Sequence, residues 1–162
     1  MKRLATGARW TSVIGESAQW LDRLVPLGDL AVRLYVANVF WKSGLTKIGS
    51  WDTTVMLFTY EYQVPLLGPE VAAMLATFVE LLFPMLLVLG LAGRFSALVL
   101  FVFNALAVIS YPGLGEAGVQ QHYVWGLLLL MPLLHGPGRL SLDYALGRWL
   151  RHRSSVRAAA GH

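Results

Sequence analysis

The sequence predicts an all-α protein of the membrane. Its fold class is an integral membrane four-helix bundle, with an N-terminal interfacial amphipathic helix and a basic C-terminal amphipathic helix. Three observations predict it. The first is the stretch 71–90, VAAMLATFVELLFPMLLVLG, apolar throughout except for Glu80. As a helix it extends about 30 Å, the thickness of a bilayer's hydrocarbon core. The second is composition: 56% of the 162 residues are hydrophobic and only 14% are charged, and the mean hydropathy is +0.58. That balance belongs to an integral membrane protein rather than a soluble globule. The third is the placement of lysine and arginine, which fall in alternate connections.

Taken in order, residues 1–29 form a cytoplasmic interfacial segment, 30–140 the four-helix domain and 141–162 a basic cytoplasmic tail. Within 8–26, Trp10, Val13, Ile14, Trp20, Leu21, Leu24 and Val25 recur with a helical period, separated by Arg9, Ser12, Glu16, Gln19, Asp22 and Arg23. This pattern predicts a helix lying on the membrane surface. The spans are expected at about 30–49, 71–91, 95–111 and 122–136. Gly93-Arg94 reads as a tight connection, Pro112-Gly113 as a stop, and Gly136-Pro137-Gly138 as a strong helix breaker. The first connection, 50–70, is aromatic and apolar between polar residues. A short helix capped by Asp52 or Thr53 fits it, with Trp51, Phe58, Tyr60 and Tyr62 suited to the interface. Residues 141–153 read as an amphipathic helix whose arginines attract anionic lipid, and 154–162 as disordered.

Orientation follows from charge. Lys2, Arg3, Arg9, Arg23 and Arg33 lie at the N-terminal side, Arg94 in the second connection, and Arg139, Arg148, Arg151, Arg153 and Arg157 in the tail. Connections 50–70 and 112–121 hold neither lysine nor arginine. Both termini are therefore expected in the cytoplasm, with the protein multi-pass in a bacterial inner membrane. No apolar stretch of signal-peptide type follows Lys2 and Arg3. The chain has no cysteine, which excludes a disulfide framework, a thiol relay and a thiolate metal site. Histidines 122, 135, 152 and 162 show no metal-ligand spacing. No basic patch interleaves with exposed aromatics, so nucleic acid is not an expected partner.

A lone carboxylate in a spanning helix costs about 2.5–3.5 kcal/mol at the bilayer centre, so Glu80 is expected to face protein, water or a ligand. Lys42 lies nine residues before Trp51, and Glu80 nine after Val71. Both therefore fall about 13 Å deep at helical rise. Asn104 has comparable depth, Lys47 is shallower, and His122 and Tyr123 open the last span on the same side. Tyr35, Asn38, Lys42 and Thr46 share one face of the first span; Ala73, Ala76, Thr77, Glu80 and Pro84 share a small-residue face of the second. Glu80 with Lys42, with Lys47 or with neither remains open at this level. Each polar group also has a structural reading: an ion pair that fixes helix register, a lysine reaching for the interface, an interhelical asparagine.

Arg33, GLTK at 44–47, the stretch VPLLGPEVAAMLATFVELLFPMLLVLGLAGR at 64–94, and HYVWGLLLLMPLLHGPGRLSLD at 122–143 together resemble the DoxX family of small bacterial membrane proteins. The similarity spans residues 30–143. Matching positions are Arg33, Gly44, Lys47, Glu80, Gly90, Arg94, His122, Trp125, Gly136, Gly138 and Asp143. Pro84 stands where many members have a small residue, and a kink in the second span is expected there. Lys42 is not a family position. The family takes its name from a subunit of a thiosulfate:quinone oxidoreductase, and other members are linked to oxidative, thiol or metal stress.

The resemblance thus implies a membrane subunit of a redox system near the quinone pool. The cofactor it implies is a quinone, with no metal or nucleotide cofactor, and the expected partners are the lipid bilayer and a protein partner or second copy. Glu80, His122 and Lys47 are the expected catalytic groups. Lys42, Asn104, Trp41, Trp125 and Tyr123 are the expected ligand contacts. Two other functions fit the same residues: a non-catalytic anchor or assembly subunit, and a small proton-coupled transporter.

Overall fold

The computed structural model describes the backbone of residues 4–160 and the side chains of residues 20–153. Six helices follow one another: α1 (Leu4–Gly49), α2 (Trp51–Tyr60), α3 (Pro69–Leu89), α4 (Gly93–Ser110), α5 (Glu116–His135) and α6 (Leu142–Ala160). No strand occurs among the described residues.

Among the described residues three stretches are long and apolar enough to cross a membrane: Trp20–Gly49 within α1, all of α3 and all of α4. α5 is less apolar than these because its first turns carry Glu116, Gln120, Gln121 and His122. The expected fourth span coincides with its later, apolar part.

α1 departs from expectation. The interfacial helix and the first span are one helix of 46 residues that passes through Pro26. A proline removes one backbone donor and crowds the preceding turn, but the leucine-rich turns on both sides continue the helix. Trp20, Leu21, Leu24, Val25 and Leu27 are all more than half exposed, so this stretch packs on no protein core. The side chains of residues 8–19, which carry much of the expected amphipathic pattern, lie outside the described residues. At the other end α6 continues as helix to Ala160, past the point where disorder was expected.

α1 packs on α3, α3 on α4, α4 on α5, and α5 back on α1; α2 lies against α3 and α1. Val36, Ala37, Phe40, Leu87, Ala97, Leu100 and Leu129 form the main core. A second cluster, Phe58, Ala72, Ala73 and Ala76, lies beneath α2, and Phe103 packs against both. The face of α1 that looks inward holds Arg33, Val36, Phe40 and Gly44. The face shared by Tyr35, Asn38, Lys42 and Thr46 is exposed.

The end that carries α6 is fastened by backbone caps. The α3–α4 turn is Gly90–Ala92, three residues before the expected Gly93-Arg94, which opens α4. Gly90 takes the left-handed conformation (φ 64°), and its N–H closes onto Leu86 and Leu87, the usual glycine stop of a helix. Arg33, almost fully buried, donates to the carbonyls of Leu87 (3.1 Å), Val88 (3.0 Å) and Leu140. It thereby satisfies orphan carbonyls at the end of α3. The Asp143 carboxylate accepts from the backbone N–H of Ala92 (2.9 Å) and Gly93 (2.8 Å), which caps the start of α4. Arg94 donates to the Leu134 carbonyl. At the opposite end, the predicted short helix α2 is present, but its N-cap is Ser50 rather than Asp52 or Thr53. The Ser50 hydroxyl donates to that of Thr53 instead of capping the backbone.

Candidate functional site

The site forms at the α2 end, where α1 and α3 approach closely at Gly44. A Cβ on Gly44 would stand 2.8 Å from a Leu81 methyl and 3.1 Å from the Glu80 Cβ. Only glycine lets the two backbones approach so far, and this approach brings Glu80 against α1. One turn beyond Gly44, Lys47 turns inward. Its ammonium donates to both Glu80 oxygens, at 2.7 and 2.9 Å, and to the Ser43 hydroxyl at 2.9 Å. Ser43 in turn donates to Glu80 Oε1 at 3.1 Å. The Lys47 and Glu80 side chains are 15% and 6% exposed, so the pair is largely removed from solvent.

α2 and the residues after it roof this pair. Thr54 of α2 donates to the Lys47 carbonyl (3.0 Å), which ties the roof to the end of α1. Tyr62 is sandwiched between Phe58 (ring centroids 4.6 Å apart) and Tyr111 (4.9 Å). The Tyr111 hydroxyl donates to Glu61 (2.9 Å), and the Gln63 N–H to the Ser110 carbonyl (2.7 Å). The Tyr62 hydroxyl itself has no hydrogen-bond partner among the described residues. Burial, then the nearby Glu80 carboxylate, push its ionisation above the ordinary value of 10.0, so it remains a neutral donor. Tyr111 shifts the same way, chiefly through its hydrogen bond to Glu61 and that carboxylate's charge.

Across from the pair stands His122. The Asn104 side-chain nitrogen donates to the His122 carbonyl (2.9 Å), so its amide oxygen faces His122 Nδ1, also at 2.9 Å. The neutral ring therefore carries its proton on Nδ1 and leaves Nε2 as an acceptor. Trp125 meets the His122 ring edge-on at 4.8 Å and Phe40 at 6.4 Å.

Two cavities meet at the ion pair. One, of about 240 Å³, is lined by Ser43, Lys47, Tyr62, Glu80, His122 and Trp125, with Tyr111 and Leu114 toward the α2 end. The other, of about 310 Å³, runs between α3 and α4 and is walled chiefly by apolar side chains. Lys47, Tyr62, Glu80, Phe103 and Ala107 border both.

Of the eight residues singled out from sequence, four gather around the first cavity: Glu80, Lys47, His122 and Trp125. Asn104 stands behind His122 and orients it. The other three face elsewhere. Trp41 lines an outer groove between α1 and α3 with Asn38 and Pro84. Lys42 is exposed and only its backbone is engaged, accepting from Thr46. Tyr123 is 64% exposed beside a groove of α4 and α5. Counting depth from Trp51 had levelled Lys42 with Glu80. A lysine side chain spans several ångströms, and Lys47 lies on the inward face where Lys42 does not, so Lys47 makes the bond. Ser43 and Tyr62 were missed. Ser43 had a signal, four residues before Lys47 and hence on the same helix face. Tyr62 had none, because the packing of an irregular connection places it. Among the described residues no cluster of His, Asp and Glu could hold a metal ion.

The apolar spans, the helical circuit and a charged site inside it define a polytopic helical membrane protein. The DoxX family model matches residues 28–112, half of the chain, and the protein belongs to that family. The match carries Arg33, Gly44, Lys47, Glu80, Gly90 and Arg94 and stops before α5. A relative from Haemophilus influenzae, described only as an uncharacterized protein, is 28% identical over 135 residues, covering 75% of this chain and 89% of its own length. No solved structure matches the chain. The residues on which the resemblance was read divide by place. Arg33, Gly90, Arg94, Gly136, Gly138 and Asp143 belong to the capped end near α6. Gly44, Lys47, Glu80, His122 and Trp125 belong to the site.

Proposed function

We propose that this DoxX-family protein is the membrane subunit of a redox system acting at the quinone pool, and that the Glu80 site is where the quinone ring is held. The observation that carries this reading is the buried Lys47–Glu80 pair forming one wall of a cavity whose other wall holds His122. A quinone presents two carbonyl oxygens on a flat apolar ring. The unpartnered Tyr62 hydroxyl supplies a donor, the Lys47 ammonium, whose three N–H groups are held by Glu80 and Ser43, supplies positive charge, Phe103 and Trp125 supply apolar walls, and His122 Nε2 supplies an acceptor for the hydroxyl of the reduced form. The residues present therefore fit such a group. The quinone supplies the redox chemistry. This chain carries no cysteine and so no thiol couple of its own; in this reading electrons pass through a bound cofactor or a partner protein.

In this reading the protein is a four-span bundle of a bacterial inner membrane, with α5 as the fourth span. α5 packs between α1 and α4, and its apolar turns from Tyr123 to Leu134 lie alongside theirs. The connections at the α2 end hold no lysine or arginine, which supports placing that end outside and both termini in the cytoplasm.

The test is mass spectrometry of the protein extracted gently from its native membrane, with lipid extracts scanned for quinones. A stoichiometric quinone that disappears in Glu80→Gln is the expected result. A reproducible protein partner with no quinone would replace this reading with that of an anchoring or assembly subunit.

A further inference from the structure

The second cavity, between α3 and α4, has a polarity gradient that the reading above leaves unused. Ala72, Leu75, Ala76, Val79 and Glu80 line it from α3, at the three- and four-residue spacing of one helix face. Phe103, Leu106, Ala107 and Ser110 line it from α4 with the same spacing. Alanine at 72, 76 and 107 leaves the volume open. The small-residue stripe of α3 thus makes space as well as close packing. The residues toward the bilayer, Leu75 and Leu106, are each about half exposed, at 49% and 48%. Inward the walls become Phe58, Ala72 and Ala76, all buried. The polar side chains of the lining are Lys47, Tyr62, Glu80 and Ser110, and of these Glu80 and Ser110 are buried. The volume, about 310 Å³, falls at the small end of ligand sites.

We infer that this cleft is a lateral entrance from the bilayer, and that the ligand of the Glu80 site is an amphiphile whose apolar chain lies between α3 and α4 while its polar ring meets Lys47, Tyr62 and Glu80. This rests on the quinone reading and adds the route and the chain. A purely aqueous ligand would have no use for a mouth of two leucines. A bare hydrocarbon chain would leave the Tyr62 hydroxyl without a counterpart beside the Lys47–Glu80 pair. The two cavities then divide the work. The apolar cleft accepts the chain, and the cavity lined by His122 and Tyr111 admits water and protons from the α2 end to the same ring.

The experiment compares decylubiquinone with the same dimethoxy-methyl-benzoquinone ring without its chain, binding to the full protein in nanodiscs by isothermal titration. Leu75→Trp and Leu106→Trp fill the mouth from two different helices at lipid-facing positions, outside the core. The expected result is that both variants weaken decylubiquinone at least tenfold and leave the chainless ring unchanged. If both compounds bind the unaltered protein and the tryptophans change neither, the lateral route is wrong while the quinone reading stands. If neither compound binds the unaltered protein, both fall. Equal loss of both compounds in both variants, with helicity retained, also overturns the route, because chain and ring would then not occupy separate places. Retention of a co-purified phospholipid that decylubiquinone cannot displace would assign the cleft to an acyl chain and overturn it as well.

Discussion

Replacing Lys47 by methionine removes the ammonium while keeping most of its apolar length. Glu80, whose side chain is 6% exposed, would then retain only the Ser43 hydroxyl at 3.1 Å. Breaking a buried pair from one side costs about 3–5 kcal/mol, because the surviving charge is stranded. Glu80→Gln is milder. Lys47, at 15% exposure, keeps its 2.9 Å bond to Ser43. Its cost should be about 1–3 kcal/mol, that of a weakened hydrogen-bond network. The double variant has no charge to strand, so it should cost less than the sum of the singles. Coupled neighbours deviate from additivity by about 0.5–3 kcal/mol. Reversible unfolding in mixed micelles, followed by helicity, measures all four proteins. Additive losses, or a Lys47→Met cost below that of Glu80→Gln, would refute the claim that the two groups depend on each other for burial.

Three further outcomes follow from the geometry. Gly44→Ala places a methyl 2.8 Å from Leu81 and 3.1 Å from the Glu80 Cβ. It should destabilise by about 1–3 kcal/mol through overpacking, whereas alanine at Gly28, which meets nothing within 4 Å, should not, and the same unfolding assay distinguishes them. Asp143→Ala uncaps α4 and should cost about 0.5–2 kcal/mol, with faster amide exchange at Ala92 and Gly93. The Tyr62 phenol should ionise above pH 10.0, read as the ultraviolet titration lost in Tyr62→Phe. Since folding favours its neutral form, that stabilisation is present below pH 10 and disappears as pH rises through the higher folded value.

The apolar stretches made the spanning helices readable from sequence, and the single carboxylate of 71–90 made the burial of Glu80 against protein readable too. Rotation about the helix axis was not. Lys42 and Lys47 lie five residues apart in one helix, about 140° in phase, and which of them faces inward depends on how α1 settles against α3. Gly44 decides that, by permitting close approach on its own side. The start of α5 was missed because Glu116–Gln121 is polar, and a polar helix beginning at an interface leaves no mark in hydropathy. Continuity through Pro26 was missed because proline marks a break only when its surroundings also favour one. The roof over the site was legible as aromatic composition, but not as the stack Phe58–Tyr62–Tyr111, which joins one connection to the end of a distant helix.

The Asp143 cap on α4 also has a meaning in time. A chain made from its N-terminus completes α3 and α4 well before residue 143 exists, since the two capped N–H groups lie 50 and 51 residues earlier in sequence. Until then the start of α4 has no carboxylate, and the Leu140 carbonyl that Arg33 grips at the end of α3 is also missing. The hairpin at the centre of the protein is therefore finished last, by the segment that leaves the ribosome after it. A chain truncated before residue 140 would insert its apolar helices and still lack the clasp that holds α1, α3 and α4 in register.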